Sequence, residues 1–197
     1  MDNTTLTSET FLERLRTKTT HSHTKLEELP VSKSIMKPNV TPQEYITYLQ
    51  LMHDVVKDAE RNVFPSLSHI VADGLIDKNR TERLEKDLQQ LGQPKTDFKT
   101  VFENASGYSN AFALGILYVL EGSTLGGRVI YKNINTALGL DADSGLFYFA
   151  GYGGQTGSHW RTFLETVIKY ESDNNAEEEI TAGAEFAYKT IAKHFTV

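Results

Sequence analysis

Residues 110–134 constrain the fold of this chain more than any other stretch of its sequence. Phe112, Ala113, Leu114, Ile116, Leu117, Val119 and Leu120 crowd the segment so densely that, as a helix, it would be buried nearly all round. It nevertheless contains Gly115, Gly122, Gly126 and Gly127. Each interior glycine costs about 1 kcal/mol relative to alanine, so the last three call for compensation. Gly122 and Gly126 stand four apart and share one helix face, which they leave bare of side chains. A bare face admits either a second helix at close range or a flat ligand, and the segment alone does not choose between them. The glycine spacing is not that of a phosphate-binding loop: there is no GxxxxGK[ST], no GxGxxG and no preceding strand.

The rest of the chain reads as helices. Thr41-Pro42-Gln43-Glu44 is a capping box with proline at the first helical position, and Tyr45, Tyr48, Leu49, Met52, Val56, Ala59 and Val63 follow at three- and four-residue intervals until Pro65. A shorter helix fits 79–91, with Leu84, Leu88 and Leu91 inward and Gly92 and Pro94 as stop signals. Trp160, Phe163 and Val167 predict a helix over about 158–170. A last helix opens at Asn175-Ala-Glu-Glu178, read as a variant capping box, and runs through Ile180, Ala184, Ala187, Ile191 and Phe195. Residues 146–149 are the only strand candidate, and the glycines around them predict a loop. The expectation is a single all-α domain spanning 1–197, without repeats or linkers.

Composition excludes several functions. The chain has no cysteine, which removes disulfides, thiolate metal sites and cysteine nucleophiles. Its net charge of −6 argues against nonspecific nucleic-acid binding, which depends on neutralising phosphates. No secretion signal is visible at the N-terminus, and no apolar run is read as long enough for a membrane span, so a cytoplasmic location is expected. None of the six histidines follows a glutamate at the Glu-x-x-His spacing of di-iron helices, and there is no HExxH or nucleophile elbow.

The first helix is expected from about Thr7 to Glu28, closed by Pro30. Leu12, Leu15, Thr19 and Leu26 span only about 60° of its wheel; His23 falls about 50° from their mean direction, and His21 lies opposite. His23 therefore points inward and His21 outward, so the HSH triplet is not a two-histidine clamp. An inward imidazole either hydrogen-bonds within the core or ligates a metal through one nitrogen while a partner orients the other. Thr19 and Glu27, one turn to either side, could supply that partner.

Taken together, Thr19-x-x-x-His23-x-x-x-Glu27 and Gly122-Ser-Thr-Leu-Gly126-Gly127 resemble the proximal and distal helices of the biliverdin-producing haem oxygenases, particularly the bacterial type. The WRTF run at 160–163 and the final helix with Phe186 extend the resemblance over most of the chain. It implies a haem oxygenase-like helical bundle with haem between the first helix and a glycine-kinked distal helix. It implies His23 as the axial iron ligand, with Thr19, Glu27 and Gly127 also in the haem site. Gly122, Ser123 and Gly126 would form the catalytic wall that steers O2 toward the haem edge. Arg16, and Arg161 as a second, match positions that bind propionates; Lys18 and Arg128 are weaker candidates. The implied reaction cleaves haem to biliverdin, CO and iron, using O2 and an external donor such as a ferredoxin, a flavodoxin or a reductase. One departure stands out: Ser123 occupies the place of an aspartate that orders distal water in the mammalian form. The competing readings are a noncatalytic haem-binding or sensing protein, a related helical enzyme such as a thiamin-salvage hydrolase, and a purely structural helical module.

Overall fold

The computed structural model describes residues 10–72, 75–77 and 79–196, with Ser106 described in its backbone alone. Helix α1, Phe11–Glu28, starts behind Thr10, whose side chain accepts from Glu13 N while the Glu13 carboxylate accepts from Thr10 N at 2.7 Å. Thr7, the expected start, lies outside the described residues. The Thr10-Phe-Leu-Glu13 capping box was in the sequence to be read. A short helix α2, Pro30–Ser34, leads to α3, Pro42–Asp58, which begins at the predicted capping box with both halves formed. At Ala59–Val63 the helix widens into a π-turn, and at Phe64–Leu67 it tightens to 3₁₀. The disruption sits where Pro65 removes a backbone donor.

Helix α3 also carries two buried carboxylates, Asp54 and Asp58. Asp58 accepts from the backbone N–H groups of Val101 and Phe102 at 2.7 and 2.6 Å, and Asp54 accepts from Lys99 N at 3.0 Å. These bonds satisfy an irregular segment that would otherwise bury unpaired donors. Helix α4, Arg80–Gln90, ends before Gly92 at φ +72°, and its buried Asp87 accepts from Phe147 N and Tyr148 N. That carboxylate caps a one-turn helix α6, Phe147–Ala150, where a loop was expected. No sequence-local signal marks this turn, because its cap comes from another helix.

Helix α5, Asn110–Leu138, continues as an α-helix through all four glycines and stops at Gly139 with φ +69°. By length and mean hydropathy (1.2) it would suffice to cross a membrane, which corrects the expectation that no segment comes near. Its apolar half is instead buried inside the protein, chiefly against the last helix, α8, Glu177–His194. A Cβ on Gly115 would lie 2.0 Å from Ile180 O, and one on Gly183 would lie 2.0 Å from Phe112 O. The two backbones meet at a crossing that only glycine permits.

Helices α7, Thr156–Asn174, and α8, Glu177–His194, close the bundle. Asn175 does not cap α8. It sits in the left-handed region (φ 50°, ψ 49°) and terminates α7, while Ala176 precedes α8 without a side-chain cap. Asparagine serves either end of a helix, and the two-residue hinge between α7 and α8, Asn175-Ala176, decides the choice. The first turn of α8 is instead compensated by Glu177–Glu179. Arg14 and Lys18 of α1 both reach Glu177, whose carboxyl is held down to about 2, first by the Arg14 hydrogen bond. No strand occurs among the described residues.

Candidate haem site

A cleft of about 860 Å³ opens between α1, α3, α5, α7 and α8. That volume is typical of a site that swallows a whole cofactor-sized ligand. Helix α1 contributes Arg16, Thr19, His23 and Glu27; α5 contributes Tyr118, Gly122, Ser123 and Gly126; Tyr48, Met52, Trp160, Tyr188 and Phe195 supply apolar and aromatic walls.

His23 is not a core histidine. The buried stripe of α1 is Phe11, Leu15, Thr19 and Ser22, and His23 stands beside it, 50 % exposed on the cleft wall. Inward therefore means into the cleft, not into the packed interior, and His21 is exposed. The His23 ring meets Tyr188 edge-on at 5.4 Å, and its Nε2 lies 3.4 Å from a Glu27 carboxylate oxygen. Both partners of that contact are open to solvent, so it holds the imidazole only weakly. Thr19 is buried, and its hydroxyl donates to Leu15 O at 2.8 Å.

The glycines divide. A Cβ on Gly126 would meet nothing within 4 Å, so its face opens on the cleft and no helix packs there. A Cβ on Gly122 would touch the Trp160 ring at 3.4 Å, in ordinary contact. Gly127, one residue on, turns about 100° away. It is buried, a Cβ there would meet the Phe149 ring at 3.4 Å, and it is absent from the cleft lining. Trp160 faces the cleft, whereas Arg161, the next residue, is exposed and does not line it. Of the basic candidates only Arg16 reaches the cleft, where it acts on the Tyr118 hydroxyl: burial pushes that phenol up and Arg16 draws it partly back. Lys18 is engaged with Glu177, and Arg128 donates to Gly153 O at 3.0 Å.

Sequence reasoning missed Glu121, Arg80 and Tyr152. Arg80 and Glu121 form an ion pair at 2.5 Å with side chains 5 % and 2 % exposed. The guanidinium also donates to Leu120 O at 3.3 Å and to the Tyr152 hydroxyl at 3.1 Å, and that hydroxyl donates to Glu121 at 3.3 Å. Tyr152 in turn stacks on His159 with centroids 3.7 Å apart. The network straps α5 from behind at Leu120 and Glu121, just before Gly122. Ser123 and Thr124 add to it by donating to the Leu120 and Glu121 carbonyls at 2.7 and 2.6 Å. One signal was available: a glutamate inside the run LYVLEG has to be paired if the helix is buried. Beside this network lies a small chamber of about 50 Å³, mostly apolar in its lining but with Asp77, Arg80, Tyr152 and Thr156 among its walls. Tyr48, Met52, Ser123 and Ile130 line both chamber and cleft, and so form the partition between them.

Comparison with known proteins gives the family of the chain and its fold. The chain is 28% identical over 176 residues to the haem oxygenase PigA of Pseudomonas aeruginosa, covering 89% of this chain and 86% of that protein. It is 30% identical over 147 residues to a haem oxygenase of Xanthomonas campestris pv. campestris, covering 75% and 86%. The fold superposes on the NO- and CO-bound haem oxygenase of Neisseria meningitidis with a TM-score of 0.75 and 26% identity, over 96% of this chain and 94% of that one. The family description "Heme oxygenase" matches residues 9–196, and the chain belongs to that family.

Proposed function

We propose that the cleft seats haem between α1 and α5, with His23 as axial ligand and the Gly122–Gly126 face of α5 as the opposite wall. The observation that supports this most is that His23 and the open face of Gly126, on separate helices, line one cleft that no side chain fills. As a haem oxygenase, the chain is an oxidoreductase that cleaves haem to biliverdin, CO and iron. Bound haem supplies the iron that takes up O2 and the carbon skeleton that is cut. The protein's own part is placement. Arg16 offers a cation for one propionate, the glycine face leaves room for haem and a small gas, and the aromatic and aliphatic walls exclude water from the macrocycle.

Ser123 stands where the resemblance expects a water-ordering aspartate, and its hydroxyl is already committed to Leu120 O. The ordering role falls to the polar groups of the small chamber behind it. Its volume accommodates a few waters, and its lining offers the several partners each needs. Arg80 and Tyr152 would hold that water next to the distal wall.

The electron source is an external ferredoxin, flavodoxin or reductase, and the working location is the cytoplasm. Anaerobic haem titration followed by reductant in air tests the reading: the spectrum of a histidine-ligated haem, then verdohaem and biliverdin absorption, is expected. Haem that binds and persists unchanged would make the chain a binder rather than an enzyme. Absence of tight binding would return it to the related helical hydrolases.

A further inference from the structure

A second buried polar cluster lies outside the cleft, and neither the fold comparison nor the haem reading uses it. Its hub is Asp54 on α3, only 2 % exposed. One carboxylate oxygen accepts from Lys95 Nζ at 2.6 Å and from Lys99 N at 3.0 Å. The other lies 3.1 Å from Nε2 of His194, in the last turn of α8. His53, fully buried, places Nδ1 3.9 Å from the first oxygen and Nε2 3.1 Å from Glu85, which Lys57 also reaches at 2.8 Å. Burial opposes ionisation of Asp54, yet His194, His53, Lys95 and the Lys99 amide hold its carboxyl far below the usual range. A buried anion thus draws together three segments distant in sequence: α3, the 92–99 connection and the end of α8.

Those segments are the back of the cleft. Tyr48 and Met52, on α3, line it. Ile191 and Phe195, flanking His194, line it too, and Phe195 packs edge-on against Tyr48 at 5.7 Å. The His194–Asp54 contact is the polar tie between these two walls. It is in ion-pair range without hydrogen-bond alignment, since His194 Nε2 has no hydrogen-bond partner.

We propose that Asp54 is a positioning residue for the haem pocket: through His194 it latches the last turn of α8 onto α3 and so sets Phe195 and Ile191 against Tyr48. The inference rests on the haem reading for its consequence but not for its geometry.

Three full-length variants test it, by amide hydrogen exchange over residues 190–196 of the ligand-free protein and by haem titration. His194→Ala is expected to keep its helical content, to raise exchange over 190–196 about tenfold and to weaken haem binding about tenfold, with the histidine-ligated spectrum unchanged. His194→Gln retains a donor that reaches Asp54 and is expected to recover most of both losses. Lys95→Gln removes a charge from Asp54 without touching α8 and should leave exchange over 190–196 within about twofold of wild type. The latch is overturned if His194→Ala changes neither readout, if Gln does no better than Ala, or if Lys95→Gln loosens 190–196 equally. A wild-type chain that fails to bind haem overturns the haem reading, while the exchange comparison still upholds or overturns the latch.

Discussion

The two halves of α5 use glycine for opposite purposes. At Gly115 the helix is closed on: the α8 backbone sits where a Cβ would go, and Gly183 returns the contact from the other side. Eleven residues later Gly126 faces open space within 4 Å. One glycine removes a side chain so that protein can come in; the other removes it so that protein stays out. The distinction is what separates a packing helix from the wall of an open cleft, the wall proposed here to face haem. Between the halves, Arg80 and Glu121 hold the helix in place from behind.

The comparison breaks most completely at His23. If the open half exists for haem, His23→Ala should abolish the histidine-ligated haem spectrum while leaving the Gly115 crossing, and hence the melting temperature of the ligand-free protein, nearly unchanged. An unaltered Soret band in the variant would sink the axial assignment. Next in size is the strap. Arg80→Ala strands the Glu121 carboxylate in the interior, and loss of one partner of such a pair costs about 3–5 kcal/mol. Chemical denaturation should show that loss; Arg80→Ala with Glu121→Gln should recover part of it, because the stranded charge is then gone. Failure of the double variant to recover would mean the pair is not what couples the halves.

Much of this arrangement was legible in the sequence. Helical periodicity gave α3, α4, α7 and α8 to within a few residues, since each has one apolar stripe against a common core. The bare face of Gly122 and Gly126 followed from spacing four apart, and the outward direction of His21 from the same arithmetic. What failed did so for identifiable reasons. Arg161 and Gly127 came from the family resemblance, but successive helical residues diverge by about 100°, so facing the cleft at Trp160 and Gly126 turns the next residue off its lining. Asn175 can end one helix or begin another, and only its left-handed backbone tells which. Arg80 lies 41 positions before Glu121, with no local pattern joining them. Gly183 sits in an ordinary alanine-rich helix; its need for glycine comes from the Phe112 carbonyl on α5.

The closed half is the next place to test. Gly115→Ala drives a methyl onto the Ile180 carbonyl, and neither helix backbone can yield cheaply. Overpacking of a rigid site costs about 1–3 kcal/mol, and the upper end is expected here. Gly183→Ala should cost a similar amount, and the two together less than their sum, because one separation of α5 from α8 relieves both. Strict additivity would show that the two glycines do not share a crossing.

The smallest effect, and the one of opposite sign, belongs to the open half. Gly126→Ala introduces a methyl that touches nothing and removes a helix-disfavouring residue, so the ligand-free protein should gain up to about 1 kcal/mol. The same substitution narrows the space left over the haem face, and Gly126→Leu fills it. Stability should therefore rise, or hold, along Gly, Ala, Leu while haem turnover falls along the same series. At Gly122 the gain should be smaller, since an added methyl already contacts the Trp160 ring. Full turnover by Gly126→Leu would contradict the distal-wall assignment, and a stability loss at Gly126→Ala would show that this face is closed after all.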